Sequence, residues 1–239
     1  RSYRSFATLF FLAAFSLCTI AGYILNGRSF KGFRHLVTDT GYSSNFAEKY
    51  GMPLCLINIG CYGFLFLLYI HLITHFTEGA GFTGPTIGVT VAALTFSAMG
   101  QHPRNVWPIL AGYLLLYLVT LVLCRMDGRE IAWTISTQGY INGVAFATGL
   151  CPIVGRYGIR AGLAAGFMCA SMCTATSALH GGLVLYNGGF TAGTTALILL
   201  PILEHYIPSA RERLKDQTIR MNDLIIVELP GKEKRRRKK

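Results

Sequence analysis

The sequence predicts an all-α integral membrane protein: a helical bundle with an internal duplication and two short helices beside its glycine–threonine motifs. Only 14% of the 239 residues are charged and 52% are hydrophobic, where a soluble domain carries about 25% charged residues. Mean hydropathy is +0.44, and the apolar residues fall in long runs rather than alternating, as expected of segments that lie in lipid. The third observation is a phrase that occurs twice, Gly81-Phe82-Thr83-Gly84 and Gly189-Phe190-Thr191-Ala192-Gly193-Thr194. Each copy leads into a short apolar segment, 84–100 or 193–206. Glycine lets the backbone turn sharply or approach a ligand closely, and a threonine hydroxyl can serve the unpaired N–H groups of a helix start. Both phrases are therefore expected to be helix N-termini entering or lying within a membrane.

The elements follow in order. The chain opens Arg1-Ser2-Tyr3-Arg4 without Met, which suggests a fragment or a removed upstream part. Residues 6–25 are twenty apolar or small residues, enough to cross a hydrocarbon core of about 30 Å. A signal peptide would have a shorter apolar region and a small-residue cleavage site, so a span is expected. Residues 26–51 form a polar loop, and 52–74 a second span. The segment 84–100 follows the first phrase, 107–124 is a further span, and 131–150 is a weaker one containing Thr134, Ser136, Thr137, Gln138, Asn142 and Thr148. A turn over 151–160 leads to the span 160–179, whose small residues suit close packing of helices in lipid. The second phrase then opens 193–206, which Pro208 ends.

The repeat is longer than the phrase. Thr40-Gly41, Tyr50-Gly51 and Gly81-Phe82 recur as Thr148-Gly149, Tyr157-Gly158 and Gly189-Phe190. The glycine intervals are 10 and 30 in the first copy, 9 and 31 in the second, and His71 and His180 occupy matching places. This order points to an internal duplication with copies about 40–100 and 148–207. Segments 84–100 and 193–206 reach roughly 20–25 Å each. If both cross the membrane the copies are parallel, and if both are re-entrant the copies are inverted. The re-entrant arrangement is preferred because the segments are short and their glycine-rich approaches extended. Such coil must face protein or a water-filled cavity.

Residues 1–208 form the membrane domain and 209–239 a basic tail. The net charge is +11, and segment 211–239 holds 11 of the 22 Lys and Arg with 5 acids. The positive-inside rule puts this tail in the cytoplasm of a multi-pass cell-membrane protein, in contact with anionic lipid. With crossing segments the tail side collects 18 Lys and Arg against 4, and with re-entrant segments 17 against 5. Nucleic acid is not an expected partner, and homo-oligomerisation is left open. Seven cysteines without a C-x-x-C pair support neither a disulfide framework nor a zinc site. Cys169 and Cys173 share a helix face as packing thiols.

Candidate solute-binding residues are Thr83, Gly84, Thr86, Thr191, Gly193 and Thr194, with His71 and His180. Two helix N-termini meeting at a repeat interface would offer N–H groups and partial positive charge to an anion or a polar neutral solute. The alternative for the same residues is helix packing. Histidine titrates near neutral pH and can relay protons, although a lone intramembrane His more often bonds a carbonyl. Glu204 is the one acid within an apolar run, near the end of its helix. Asn58, Gln138, Asn142 and Asn187 would line a path or bond between helices. No nucleotide-binding, metalloprotease or hydrolase motif occurs, and neither a metal nor a cofactor is expected.

The stretches 81–114 (GFTGPTIGVTVAALTFSAMGQHPRNVWPILAGYL), 151–166 (CPIVGRYGIRAGLAAG) and 179–193 (LHGGLVLYNGGFTAG) resemble an uncharacterised bacterial multi-spanning membrane family known as domain of unknown function 1576. The likeness covers roughly 35–207. It implies bacterial origin and an integral membrane location, carries no established activity, and would suit a longer parent chain. Three functions compete. The first is a transporter or channel for a small solute at the converging phrases. The others are a membrane-embedded enzyme or electron-transfer subunit for a lipid or quinone, and an assembly subunit whose tail docks a partner.

Overall fold

The computed structural model describes residues 2–79, 81–173, 175–176 and 184–207, the side chains of 2–4 and 184–187 excepted. Among these residues every regular element is helical, in agreement with the expected fold class. Among the described residues three helices are long and apolar enough to cross a bilayer, over Ser5–Leu25, Met52–Phe76 and Pro103–Met126, and the chain is a membrane protein.

Glycine contacts give the course of the chain. Helix α1 (Ser2–Leu25) and α4 (Met52–Phe76) are antiparallel. Gly22 abuts Pro53 and Ile57, Gly60 abuts Thr19, and Gly63 packs on the Phe15 ring. Thr8 meets His71 near the opposite end. Between them, the loop 26–51 carries two short helices, α2 (Phe33–Leu36) and α3 (Phe46–Tyr50). We call this the loop end of the bundle.

Helix α5 (Gly84–Ser97) runs back toward the loop end. Thr83, its N-cap, bonds Gln138 at the far end. Ser97 and Gln101 carbonyls accept from Asn58 near the start of α4. The preference for a re-entrant segment is thus corrected: α5 passes from one end of the bundle to the other. Its 14 residues rise only about 21 Å. The irregular stretch around 77–83 and the turn at 98–102 complete the passage.

At the loop end α6 (Pro103–Met126) starts under a reciprocal cap, in which the His102 ring accepts from Asn105 N–H and the Asn105 side chain accepts from His102 N–H. This cap moves the start four residues ahead of the expected 107. The expected weak span 131–150 is displaced as well. Helix α7 (Gln138–Ala147), a 3₁₀ turn (Thr148–Leu150) and α8 (Cys151–Tyr157) form one helical run. Residues 131–137 stay irregular because their hydroxyls bond elsewhere: Thr134 donates to Glu78 O at 2.7 Å and Thr77 to the Ser136 hydroxyl at 2.7 Å. The run is antiparallel to α6, with Tyr140 against Tyr113 and Cys151 near Gly100 at the loop end.

Gly158, with φ of 91°, breaks this run, and α9 (Ile159–Cys173) returns parallel to α6. Gly162 lies against Pro108, Gly166 against the Ile109 backbone, and Cys169 beside Tyr113. Such close backbone approach is how helices associate when lipid competes for apolar surface. Helix α10 (Val184–Tyr206) packs on α7 and α9. Large apolar side chains face outward on α1 (Phe6, Leu9, Leu17), α6 (Leu118, Val122, Leu123) and α10 (Leu197, Ile202). That inverted exposure fits a lipid surround.

The loop end closes by backbone contact between two glycines with positive φ, Gly41 (77°) and Gly100 (111°). A Cβ on Gly41 would stand 2.5 Å from Gly100 O, and a Cβ on Gly100 would strike the Gly41 carbonyl. Phe46 N–H also donates to Ala98 O at 2.9 Å. Gly100→Val is expected to lower the thermal midpoint in detergent, at a cost above about 2 kcal/mol from strain and backbone clash. Gly84→Ala, where an added Cβ meets nothing within 4 Å, should stay within about 0.5 kcal/mol of the wild type.

Candidate functional site

The first phrase forms the expected helix start. Gly81 has φ of 60°, and Thr83 caps α5 by accepting from Thr86 N–H. The Thr83 hydroxyl donates to Gln138 Oε1 at 2.6 Å. The buried Thr86 hydroxyl donates to Gly81 O at 2.7 Å. Gln138 in turn donates through Nε2 to Asn142 Oδ1 at 2.7 Å, one helical turn along α7. Thr83, Thr86, Gln138 and Asn142 therefore make one polar cluster between α5 and α7. Gly84 is exposed at its edge.

The second phrase takes a different shape. Gly189 through Thr194 lie inside the continuous helix α10, so the expectation of a second helix N-terminus there is corrected. The physical reason is local. Thr191 donates to Gly188 O at 3.1 Å and Thr194 to Phe190 O at 2.9 Å. These hydroxyls bond back to their own helix, as Ser and Thr do within helices. Thr191 is buried beside Cys169, Thr194 is partly exposed, and Gly193 is exposed. The first phrase meets α7 at Gln138, and Gly188, just before the second, lies against Asn142 O and Phe146.

His71 belongs elsewhere. Its Nδ1 donates to Leu67 O at 2.9 Å, and its Nε2 lies 3.1 Å from the Thr8 hydroxyl. The ring packs on Phe82 at the wall of an open cavity of about 470 Å³. His180 and the side chain of Asn187 lie outside the described residues, as does the tail 209–239.

Buried polar groups continue from the cluster to the loop end. Thr90 donates to Thr86 O, and the Tyr62 hydroxyl to Thr148 Oγ1 at 3.3 Å. Asn58 bridges the Ser97 and Gln101 carbonyls, each at 2.8 Å. Asn58 Oδ1, Gln101 Oε1 and Tyr69 OH are buried without a hydrogen-bond partner. An unmet buried polar group costs about 1–3 kcal/mol, and these three lie in one small bundle.

The loop end itself is built on Asp39, which the sequence presented only as a loop charge. Its side chain is 2% exposed. It accepts from Gly41 N–H at 2.8 Å, Ser44 Oγ at 2.9 Å, Tyr50 OH at 2.7 Å and the Lys49 ammonium. Burial pushes the carboxyl up, but these four donors, Lys49 foremost, outweigh it and hold the pKa at about 2. The Asp39 carbonyl accepts from His102 Nε2 at 3.0 Å. Because His102 Nδ1 accepts from Asn105 N–H, the ring is the neutral Nε2–H form, and burial keeps its pKa below the ordinary value. No triplet of His, Cys, Asp and Glu suited to a metal ion occurs among the described residues.

A family model described as "Protein of unknown function (DUF1576)" matches residues 25–205, and the chain belongs to this family. No curated protein matches the chain, and no solved structure does. The match begins at the last residue of α1 and includes the Asp39 cluster and both phrases.

The Asp39 cluster generates a pH prediction. Its folded pKa of about 2 lies below the ordinary 3.8, so its stabilisation is complete above the unfolded value. It is lost as pH falls from about 4 through 2, and amounts to about 2 kcal/mol. Unfolding midpoints measured across that range should fall in the wild type, and Asp39→Asn should remove this component of the slope.

Proposed function

We propose that the chain is a multi-pass membrane protein that passes a small, uncharged, hydrogen-bonding solute along the polar column beside α7. The observation that carries this reading is the set of buried oxygens without partners, Asn58 Oδ1, Gln101 Oε1 and Tyr69 OH, inside a bundle with an apolar exterior. In such surroundings these groups call for water or a solute with hydroxyl or amide donors. The column between the Thr83 cluster and Asn58 uses hydroxyls and amides rather than charges, which suits a neutral solute over an ion. Thr83, Thr86, Gln138 and Asn142 would form its far-end station, with Gly84 at the rim. Thr191 would contribute from α10. Gly193, Thr194 and His71 would lie outside the path.

The loop end faces the cytoplasm in this reading. Arg28, Lys31, Arg34, Lys49, Arg104, Arg156 and Arg160 lie in the loop, the short helices and the helix starts at that end, as the positive-inside rule requires. With α5 crossing, the duplicated units 40–100 and 148–207 would be parallel. The shared corner supports the duplication: Tyr50-Gly51 and Tyr157-Gly158 each end a short helix at a glycine of positive φ, 86° and 91°, and open the next long helix.

Proteoliposomes of wild-type protein are expected to pass small polyols, ureas or amides faster than empty vesicles. Gln138→Leu and Thr86→Val should each lower that flux about tenfold, the weight of one lost buried hydrogen bond. Thr194→Val should leave it unchanged. Far-UV circular dichroism distinguishes a blocked path from a misfolded bundle. A folded wild type that passes none of these solutes would overturn the proposal.

A further inference from the structure

At the loop end, a cavity of about 420 Å³ opens between the first turn of α6, the corner between α8 and α9, and the loop after α2. That volume lies within the ~300–1,000 Å³ of ordinary ligand sites. Its walls divide by chemistry. Val37, Val154 and Ile159 form an apolar side, and Trp107 and Arg104 stand together on α6 at a spacing of three residues. Asp39 also lines it, but its carboxylate already receives four donors, including the Lys49 ammonium. His102 is held neutral by its own hydrogen bonds. Arg104 is exposed and has no carboxylate partner among the described residues. The one uncompensated charge of the cavity is therefore a guanidinium, a fork suited to phosphate oxygens.

We propose that this cavity binds the headgroup of an anionic phospholipid, with Arg104 on the phosphate and the glycerol and acyl roots against Trp107, Val154 and Ile159. Position argues for a lipid over a free phosphate. The cavity sits where α6 and α9 begin, at the level of an interface. Its tryptophan is 40% exposed, and amphipathic rings of this kind gather at the headgroup layer. Basic pockets between helices on the cytoplasmic side are the places where anionic headgroups dock. An apolar wall beside an unpaired arginine fits a molecule with a charged head and a greasy body. The proposal is independent of solute passage and holds whether or not the column conducts.

Trp107 supplies the readout. The chain has 2 tryptophans, and Trp133→Phe leaves Trp107 alone. In vesicles of zwitterionic lipid, a small equal fraction of brominated phosphatidylglycerol or brominated phosphatidylcholine is added and Trp107 quenching is measured. The anionic lipid should quench about fivefold more effectively, the preference expected of one basic contact near a headgroup. Arg104→Gln should bring quenching down to the zwitterionic level, Arg104→Lys should keep most of the preference, and Lys31→Gln, at the same end but away from the cavity, should keep all of it. Equal quenching by the two lipids, or a preference that survives Arg104→Gln, would overturn the proposal. So would a Trp107 emission shift with inorganic phosphate in the absence of any lipid preference, which would make this a free-phosphate site.

Discussion

The constraint on which the rest of the structure depends is that a polar group removed from water must find its partner within the protein. In an apolar surround each failure is costly, and the sequence places many hydroxyls and amides in its apolar runs. The helices are arranged around them. The α5 start is fixed because Thr83 and Thr86 reach Gln138. Asn58 holds the end of α5 and the turn before α6 to α4 through two backbone carbonyls. The α7 start comes later than apolarity alone implies, because Thr134 and Ser136 are bonded to the 77–78 stretch.

The two ends of the bundle meet this constraint differently. At the loop end one carboxylate gathers an amide, two hydroxyls and an ammonium, so every lone pair of Asp39 is engaged and its charge is offset. Buried charge is tolerable only with such company. The His102 cap ties the same node to α6. Backbone contact between Gly41 and Gly100 braces the loop against the turn before α6. At the far end the polar groups are neutral and border on exposed glycine. Gln138 accepts from Thr83 through Oε1 and donates to the Thr86 hydroxyl through Nε2, so this end is suited to exchanging partners and the Asp39 node to holding still.

Much of this was legible in the sequence, and the failures are instructive. The three long spans, the α5 cap and the amides Asn58, Gln138 and Asn142 as interior polar groups could be read from apolar runs and from side chains out of place within them. Asp39 could not. Its donors lie 2 to 11 residues away in an irregular loop, and its carbonyl contact comes from His102 across 63 residues. Nothing local announces that pairing. The second phrase failed for the opposite reason: local identity was taken for local structure. At 81–84 a positive-φ glycine breaks the chain before Thr83. At 189–194 the hydroxyls find carbonyls of the same helix, and the glycines are carried along within it.

This difference also bears on where the proposed duplication begins and ends. The Tyr-Gly corners agree closely, and each opens a helix that leads to a Gly-Phe-Thr phrase. The long helices packed on those units do not agree. Helix α1 lies antiparallel to α4, through Gly22 on Pro53 and Gly63 on Phe15, whereas α6 lies parallel to α9, through Gly162 on Pro108 and Cys169 beside Tyr113. Equivalent halves would pack their first helices in the same sense. Under the proposed duplication the unit would therefore run from corner to phrase, with α1 and α6 outside it. The two phrases have unlike neighbours: the first, against α7 and its Gln138, caps a helix, and the second, against Cys169 of α9, lies within a continuous helix.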